Sequence, residues 1–194
     1  TSDLLKNMEV GFKSTLADGG VVLNGLFYSM NWEDYQATRY VYDYLTVAYV
    51  DNVGEATIQG AEIESYFNLS DSMSMSILAN FNDPTVESDT GDIGGDLVAS
   101  KGNRLAYVPE KRLVITLDKD FVIAGLPAYF GLDYNYTGDR WADDGNSLSM
   151  PSYSLMNTRL GVDFQSGTTA ELFIRNVNDT DPVLGLYDDF SEYR

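Results

Sequence analysis

Hydrophobic and polar residues alternate with a period of two along most of the chain, and helical periodicity is nearly absent. The stretch Met73–Phe81 shows this most clearly. Met, Met, Ile, Ala and Phe occupy its odd positions, while Ser, Ser, Leu and Asn occupy the even ones. A β-strand places alternate residues on opposite faces, so this pattern indicates one apolar face and one polar face. The sequence therefore predicts a protein built from amphipathic strands.

This alternation predicts eight strands, whose approximate bounds are Met8–Leu16, Val21–Asn31, Glu55–Leu69, Met73–Phe81, Lys111–Val122, Ala128–Gly138, Tyr153–Phe164 and Thr168–Arg175. We expect tight turns after the first, third, fifth and seventh strands. Long loops are expected after the second, fourth and sixth. The aromatic-rich stretch Trp32–Asn52 is assigned to the first of these loops.

Short and long connections at opposite ends are typical of an antiparallel transmembrane β-barrel, with short periplasmic turns and long extracellular loops. In hydrocarbon every backbone polar group must be paired and charges must face the lumen, which requires a closed sheet with one oily face. The residues predicted to face lipid are Met75, Ile77, Leu132, Leu160, Val162, Leu172 and Ile174. Both faces of the second strand are largely apolar, so its lumen side stays open.

A soluble β-sandwich with one wet face is the alternative to a barrel. It gives no reason for all the long loops to lie at one end, so the barrel is preferred. Aromatic residues near strand ends are then expected to form girdles at the membrane interfaces. The candidates for these girdles are Phe27, Tyr28, Trp32, Tyr129 and Tyr153.

The composition limits the chemistry available to this chain. Its 194 residues include no His and no Cys, so disulfides, thiolates and Ser–His pairs are excluded. We expect no catalytic residue, no cofactor and no enzymatic activity. The net charge of −18 disfavours nucleic acid as a partner, because phosphates attract Lys and Arg.

Acidic loops are the remaining candidates for a metal site. Asp143 and Asp144 lie together in the predicted loop that follows the sixth strand. Carboxylate oxygens suit Ca²⁺, but the spacing matches no EF-hand. A solvated acidic loop is therefore the preferred interpretation, and no metal is assigned.

Three motifs in order resemble those of TonB-dependent outer-membrane receptors. The first, NVGEATIQGAEIE, matches the family pattern at Asn52, Gly54, Ala56, Gly60, Glu62 and Glu64. The second is GNRLAYVPEKRLVITLDKDF, and the third joins YSLMNTRLGVDF to ELFIRNVNDTD, with Val177 where the family usually has Leu. The resemblance covers residues Val10 to Asp181. It implies that the motif glycines and glutamates are architectural, with Glu62 and Glu64 facing the lumen.

The resemblance also implies a barrel of about 22 strands, plugged by an N-terminal domain, in the bacterial outer membrane. Residues 1–194 would then be a C-terminal part of that barrel, with the plug, the early strands and the final strand outside the sequence. The expected partners are membrane lipid, the TonB complex through the N-terminal part, and a scarce nutrient, either a ferric siderophore or an oligosaccharide. A complete eight-stranded barrel with a structural or adhesive role is the alternative.

The aromatic stretch is the candidate for ligand binding, because rings exposed outside the membrane stack on sugars or on the rings of a siderophore. The candidate residues, with one Trp from the third long loop, are Trp32, Tyr35, Tyr40, Tyr42, Tyr44 and Trp141. The alternative is that the stretch extends its strands above the membrane and packs against neighbouring loops.

Overall fold

The computed structural model describes residues 2–41, 47–91, 97–164 and 166–186. A short 3-10 turn at Ala17–Gly19 interrupts an otherwise all-β chain. The strands of the described residues are β1 (Leu4–Leu16), β2 (Val21–Val41), β3 (Val47–Ser70), β4 (Met73–Val86), β5 (Thr90–Gly91), β6 (Leu97–Ala99), β7 (Lys111–Ile123), β8 (Leu126–Thr137), β9 (Arg140–Trp141), β10 (Ser149–Met150), β11 (Tyr153–Phe164) and β12 (Thr168–Ile174). No helix within the described ranges is long and apolar enough to span a membrane.

The eight long strands form one sheet in the order β1-β2-β3-β4-β7-β8-β11-β12, and every neighbouring pair is antiparallel. The short strands form two separate hairpins, β5 with β6 and β9 with β10, inside the connections that follow β4 and β8. β1 and β12 lie at opposite edges of the described sheet and do not pair with each other. The described strands therefore form an open sheet and not the closed eight-stranded alternative.

The eight predicted strands are confirmed. Most of their ends agree with the predicted bounds to within a few residues, and the largest differences are at the end of β2 and the start of β3. We call the edge formed by the connections β1–β2, β3–β4, β7–β8 and β11–β12 the turn end. The opposite edge, which carries the connections around β5–β6 and β9–β10, is the loop end. The short hairpins of the loop end were not predicted, because two-residue and three-residue strands carry no readable alternation.

The prediction of a loop over Trp32–Asn52 is wrong for the described part of that stretch. β2 continues to Val41 and β3 begins at Val47, so the two strands form one long hairpin. The alternation is lost because the register between β2 and β3 shifts twice, between Trp32 and Gln36. A bulge of this kind changes which face each later residue occupies, so the period-two pattern breaks although pairing continues.

The ladder pairings place the apolar positions of adjacent strands on one face. Ile77 pairs with Ile115, Leu117 with Leu132, and Leu160 with Leu172. Directly paired residues share a face, so the pairings connect the apolar sides of β4, β7, β8, β11 and β12. All seven residues predicted to face lipid lie on this apolar face.

The register also decides the question that the sequence left open for β2. Asn24 pairs with Glu64, and Leu26 pairs with Glu62, so the even positions of β2 share the polar face. The girdle prediction is accordingly wrong for Tyr28, Trp32, Tyr129 and Tyr153, which also lie on the polar face. Of those five candidates, only Phe27 lies on the apolar face, where its side chain is exposed.

Two of these tyrosines lie across glycines of the neighbouring strand. A Cβ atom added to Gly60 would overlap the ring of Tyr28, and one added to Gly161 would overlap the ring of Tyr129. Glycine leaves a gap in the sheet surface, and a long cross-strand side chain fills it. The Tyr129 hydroxyl then donates to Glu171 at 2.7 Å, one strand beyond the glycine. Gly60 therefore permits the close approach expected from its motif.

The assignment of faces can be tested with spin labels, since the chain has no natural Cys. In lipid vesicles, labels at Ile77→Cys and Leu172→Cys should be relaxed by lipid-soluble oxygen and little affected by an aqueous nickel chelate. Control labels at Glu64→Cys and Asp163→Cys, on the polar face, should not show this preference for oxygen. The opposite result would reverse the two faces.

The covering of glycine by tyrosine predicts a specific destabilisation. Gly161→Val should lower the free energy of unfolding by about 1–3 kcal/mol, because the new side chain occupies the space of the Tyr129 ring. Adding Tyr129→Ala should recover part of that stability, whereas Gly185→Val is the control, since nothing lies within 4 Å of a Cβ at that position. The urea midpoint of the heat-modifiable folded form measures the effect. A Gly161→Val protein of unchanged midpoint would contradict the packing.

Candidate functional site

The loop end is organised around a small hydrophobic cluster. Tyr35 is only 3% exposed and packs with Ala56, Val86, Ala99 and Leu105. These residues come from β2, β3, β4, β6 and the segment before β7, so the cluster fastens the long β2–β3 hairpin to the connection that follows β4.

The ligand-binding candidates occupy different surroundings. Tyr35 is buried in the cluster, and Trp32 packs against it with the ring centroids 5.5 Å apart. The Trp32 indole donates to Asp3 at 2.8 Å. Both residues therefore contribute to packing at the loop end, which agrees with the alternative interpretation for these two positions.

For the other four candidates the structure gives backbone interactions or no description. Tyr40 belongs to β2 and pairs with Ala48 of β3. Trp141 lies in the short strand β9, and its carbonyl accepts a hydrogen bond of 2.7 Å from the backbone amide of Tyr107. Tyr42 and Tyr44 lie outside the described residues. A role in ligand contact stays a prediction for all six candidates.

The bulge in the β2–β3 hairpin is stabilised by the first family-like motif. The Asn52 side-chain amide donates to the Asp34 carbonyl at 2.6 Å. Gly54 has a φ of +140°, which only glycine adopts readily, and a Cβ there would overlap the Ser88 hydroxyl. That hydroxyl instead accepts from the Glu55 amide at 3.0 Å. Asn52 and Gly54 are thus architectural, as the resemblance implied for the glycine.

The second motif, GNRLAYVP, is held by the loop between β9 and β10. Asn146 accepts from the Arg104 amide and donates to the Arg104 carbonyl, both at 2.8 Å. Asp144 accepts from the Ala106 amide at 3.0 Å. Two distant connections are therefore joined by hydrogen bonds that resemble those of a strand pair.

Asp143 and Asp144, the two residues considered as calcium ligands, form hydrogen bonds within and beside the β9–β10 loop. The Asp143 carboxylate accepts from the Ser147 hydroxyl at 2.9 Å and from the backbone amides of Ser147 and Leu148. The Asp144 carboxylate accepts the hydrogen bond from the Ala106 amide described above. Throughout the described ranges, no three acidic residues are grouped so that they could hold a metal ion. The two carboxylates act as caps for the loop.

The third motif fastens the chain after β12 to β11. Asn176 and Asp179 have positive φ values of 53° and 50°, a conformation that Asn and Asp tolerate better than most residues. The Asn178 side chain accepts from the Met156 amide at 3.0 Å and donates to the Ser154 carbonyl at 2.8 Å. This side chain imitates a strand partner and directs residues 180–186 over the loop end.

The polar face carries acids that are paired with amides or with arginine. Glu62 accepts from Asn80 at 3.0 Å, and Glu64 accepts from Asn24 at 3.2 Å. Both motif glutamates lie on the polar face, as predicted. Further along the sheet, Arg159 crosses Gly131 and binds Asp118 at 2.5 Å and Asp133 at 3.4 Å.

Two of the hollows on this face border Glu62. One, of about 430 Å³, is bordered by Lys13, Asn24, Glu62 and Glu64. The other, of about 490 Å³, lies between Asn80, Tyr107 and Arg112. Such a surface, with acids, amides and isolated cations, suits contact with water or with a polar protein segment, and it does not suit lipid.

Sequence reasoning missed two arginines at the loop end. Arg104 forms ion pairs with Glu110 at 3.1 Å and Asp139 at 3.0 Å. Arg140 is 6% exposed, lies over the Tyr153 ring at 5.4 Å and donates to the Val183 carbonyl at 3.0 Å. Neither shows a local pattern in the sequence, because most of these partners are distant along the chain.

Comparison with known proteins gives this arrangement a family. A family model described as TonB dependent receptor-like, beta-barrel, matches residues 5–177. The chain is 26% identical over 140 residues to the ferrioxamine receptor of Yersinia enterocolitica, covering 69% of this chain and 18% of that protein. It is 24% identical over 192 residues to the ferrichrome outer membrane transporter/phage receptor of Escherichia coli, covering 95% of this chain and 24% of that protein.

Solved structures share the fold. The ferric yersiniabactin uptake receptor of Yersinia pestis superposes with a TM-score of 0.79 at 19% identity, covering 97% of this chain and 27% of that one. The siderophore receptor of Acinetobacter baumannii gives a TM-score of 0.72 at 16% identity, covering 91% and 24%. This chain thus spans about a quarter or less of the length of these relatives. With its open antiparallel sheet, its two unlike faces and a family match over most of its length, the chain belongs to the TonB-dependent receptor-like β-barrel family and forms part of an outer-membrane barrel.

Proposed function

We propose that this chain forms wall and outer loops of a receptor that binds a ferric siderophore outside the cell and imports it. The observation that carries the proposal is that the relatives compared above are named for ferrioxamine, ferrichrome and ferric yersiniabactin. None of those proteins is named for a carbohydrate, so the oligosaccharide alternative has no support among them. The unpaired edges at β1 and β12 likewise disfavour a small structural barrel.

The two unlike faces of the sheet and its loop end are consistent with this role. The apolar face meets lipid, and the polar face borders the lumen, where a plug domain outside this sequence would contact Glu62, Glu64 and their neighbours. Energy would reach the receptor from the TonB complex through that N-terminal part. The loop end is stabilised by the Tyr35 cluster and by the hydrogen bonds between Asn146 and Arg104. It would present its surface to the incoming ligand.

Uptake of iron tests the proposal directly. The full-length receptor would be expressed in a Gram-negative strain that lacks its own siderophore receptors, and radioactive iron would be supplied as hydroxamate, catecholate or mixed ferric complexes. At least one complex should be accumulated, and accumulation should stop in a strain without TonB. Accumulation of oligosaccharides with none of the ferric complexes would replace the siderophore proposal by the carbohydrate alternative.

The aromatic stretch Trp32–Tyr49 is expected to contribute to capture of the ligand. Replacing Tyr40, Tyr42 and Tyr44 together with Ser should weaken binding by up to roughly tenfold for each ring that stacks on the ligand, since such stacking is worth about 0.5–1.5 kcal/mol beyond the buried area. Equilibrium binding of the transported complex to whole cells measures this, with surface abundance determined in parallel. Tyr66→Ser, near the turn end of the same hairpin, is the control and should leave affinity unchanged. Normal affinity of the triple variant would show that these tyrosines serve packing alone.

A further inference from the structure

Arg140 is a buried charge at the loop end that forms no ion pair with any of the described residues. It lies in β9, and its side chain is enclosed by Tyr153 below and by the chain around Val183 above. One terminal nitrogen, Nη2, donates to the Val183 carbonyl at 3.0 Å. The other, Nη1, is buried and has no hydrogen-bond partner among the described residues. The guanidinium therefore has one donor group directed at the protein and another that is unused.

No carboxylate balances this charge within the described part of the chain. Arg104, at the same end of the sheet, provides the contrast, because it forms ion pairs with both Glu110 and Asp139. Burying an unpaired charge is unfavourable, whereas a guanidinium that meets an anion gains two charge-assisted hydrogen bonds. The surroundings of Arg140 are thus better suited to a bound anion than to the neutral carbonyl it now contacts.

The segment that covers Arg140 is held by hydrogen bonds to side chains and not by a strand ladder. We call residues 180–186 the strap. The strap carbonyls of Val183 and Leu186 accept from Arg140 and, at 3.3 Å, from the Tyr107 hydroxyl. The strap belongs to no strand, and Leu184 is 65% exposed. Displacing the strap would therefore break no sheet ladder, and it would uncover the Arg140 guanidinium.

We propose that Arg140 is an anion-binding residue of the receptor, and that an anionic group of the ligand replaces the Val183 carbonyl on its guanidinium as the strap moves away. This inference rests on the proposed function and names the ligand class more closely: a ferric complex that carries net negative charge, such as one with catecholate or free carboxylate groups. Arginine suits this role because its planar fork binds carboxylate and catecholate oxygens in pairs. A neutral complex would gain much less from it.

The charge of the ligand provides the test. In the full-length receptor, Arg140→Gln should lower the affinity for a trianionic ferric tris-catecholate by at least roughly tenfold, the decrease expected when a charged hydrogen bond is removed. The affinity for a neutral ferric tris-hydroxamate should stay within about twofold. Arg175→Gln removes the same charge from an exposed position and is the matched control. Equal decreases for both complexes, or no decrease for the anionic one, would overturn the proposal.

The strap gives a second measurement that does not depend on an iron complex. A spin label at Leu184→Cys should become more mobile when the tris-catecholate complex or millimolar inorganic sulfate is added to the unliganded receptor. In the Arg140→Gln background the label should be mobile before any anion is added. A label that responds to no anion would overturn the proposal. A response to sulfate in a receptor that binds none of the ferric complexes would instead count against the siderophore function alone.

Discussion

The pairing of backbone groups governs the whole structure. Within hydrocarbon, an N–H or C=O group without a partner costs several kcal/mol, so every strand must be bonded to its neighbours along its full length in the membrane. Eight strands satisfy this with a continuous antiparallel ladder from β1 to β12. Because the ladder fixes which residues are opposite one another, it also fixes the two faces. The separation of oily and polar side chains follows from the register.

The polar face tolerates irregularities that the ladder itself does not. Gly60, Gly131 and Gly161 leave gaps in its surface, which are filled by Tyr28, Arg159 and Tyr129 from adjacent strands. These long side chains end in polar groups that bond to Asn80, Asp118 and Glu171. These three long side chains therefore fill the gaps above the glycines and also hydrogen-bond to polar residues of the lumen face.

The loop end differs from the sheet, because side chains there form hydrogen bonds with backbone N–H and C=O groups that have no strand partner. Asn146, Asp144 and Asn178 each take the place of a strand partner for a neighbouring segment. Bonds of this kind are local and can be exchanged without opening the ladder. The same end holds the buried charge of Arg140 under a segment that belongs to no sheet. The regular strand ladder and the segments held by side-chain hydrogen bonds thus occupy separate parts of one chain.

Local alternation was enough to predict the eight long strands, the position of the tight turns and the apolar face, because each depends on a period of two that burial in lipid enforces. The sequence also identified Glu62 and Glu64 as lumen residues through their motif. Strand pairing was needed to assign the polar side of β2 and the extension of the β2–β3 hairpin, since apolar residues on both faces and a bulge near Tyr35 hide the period. The burial of Tyr35 and of Arg140 was likewise decided by packing against distant segments, which no local pattern records.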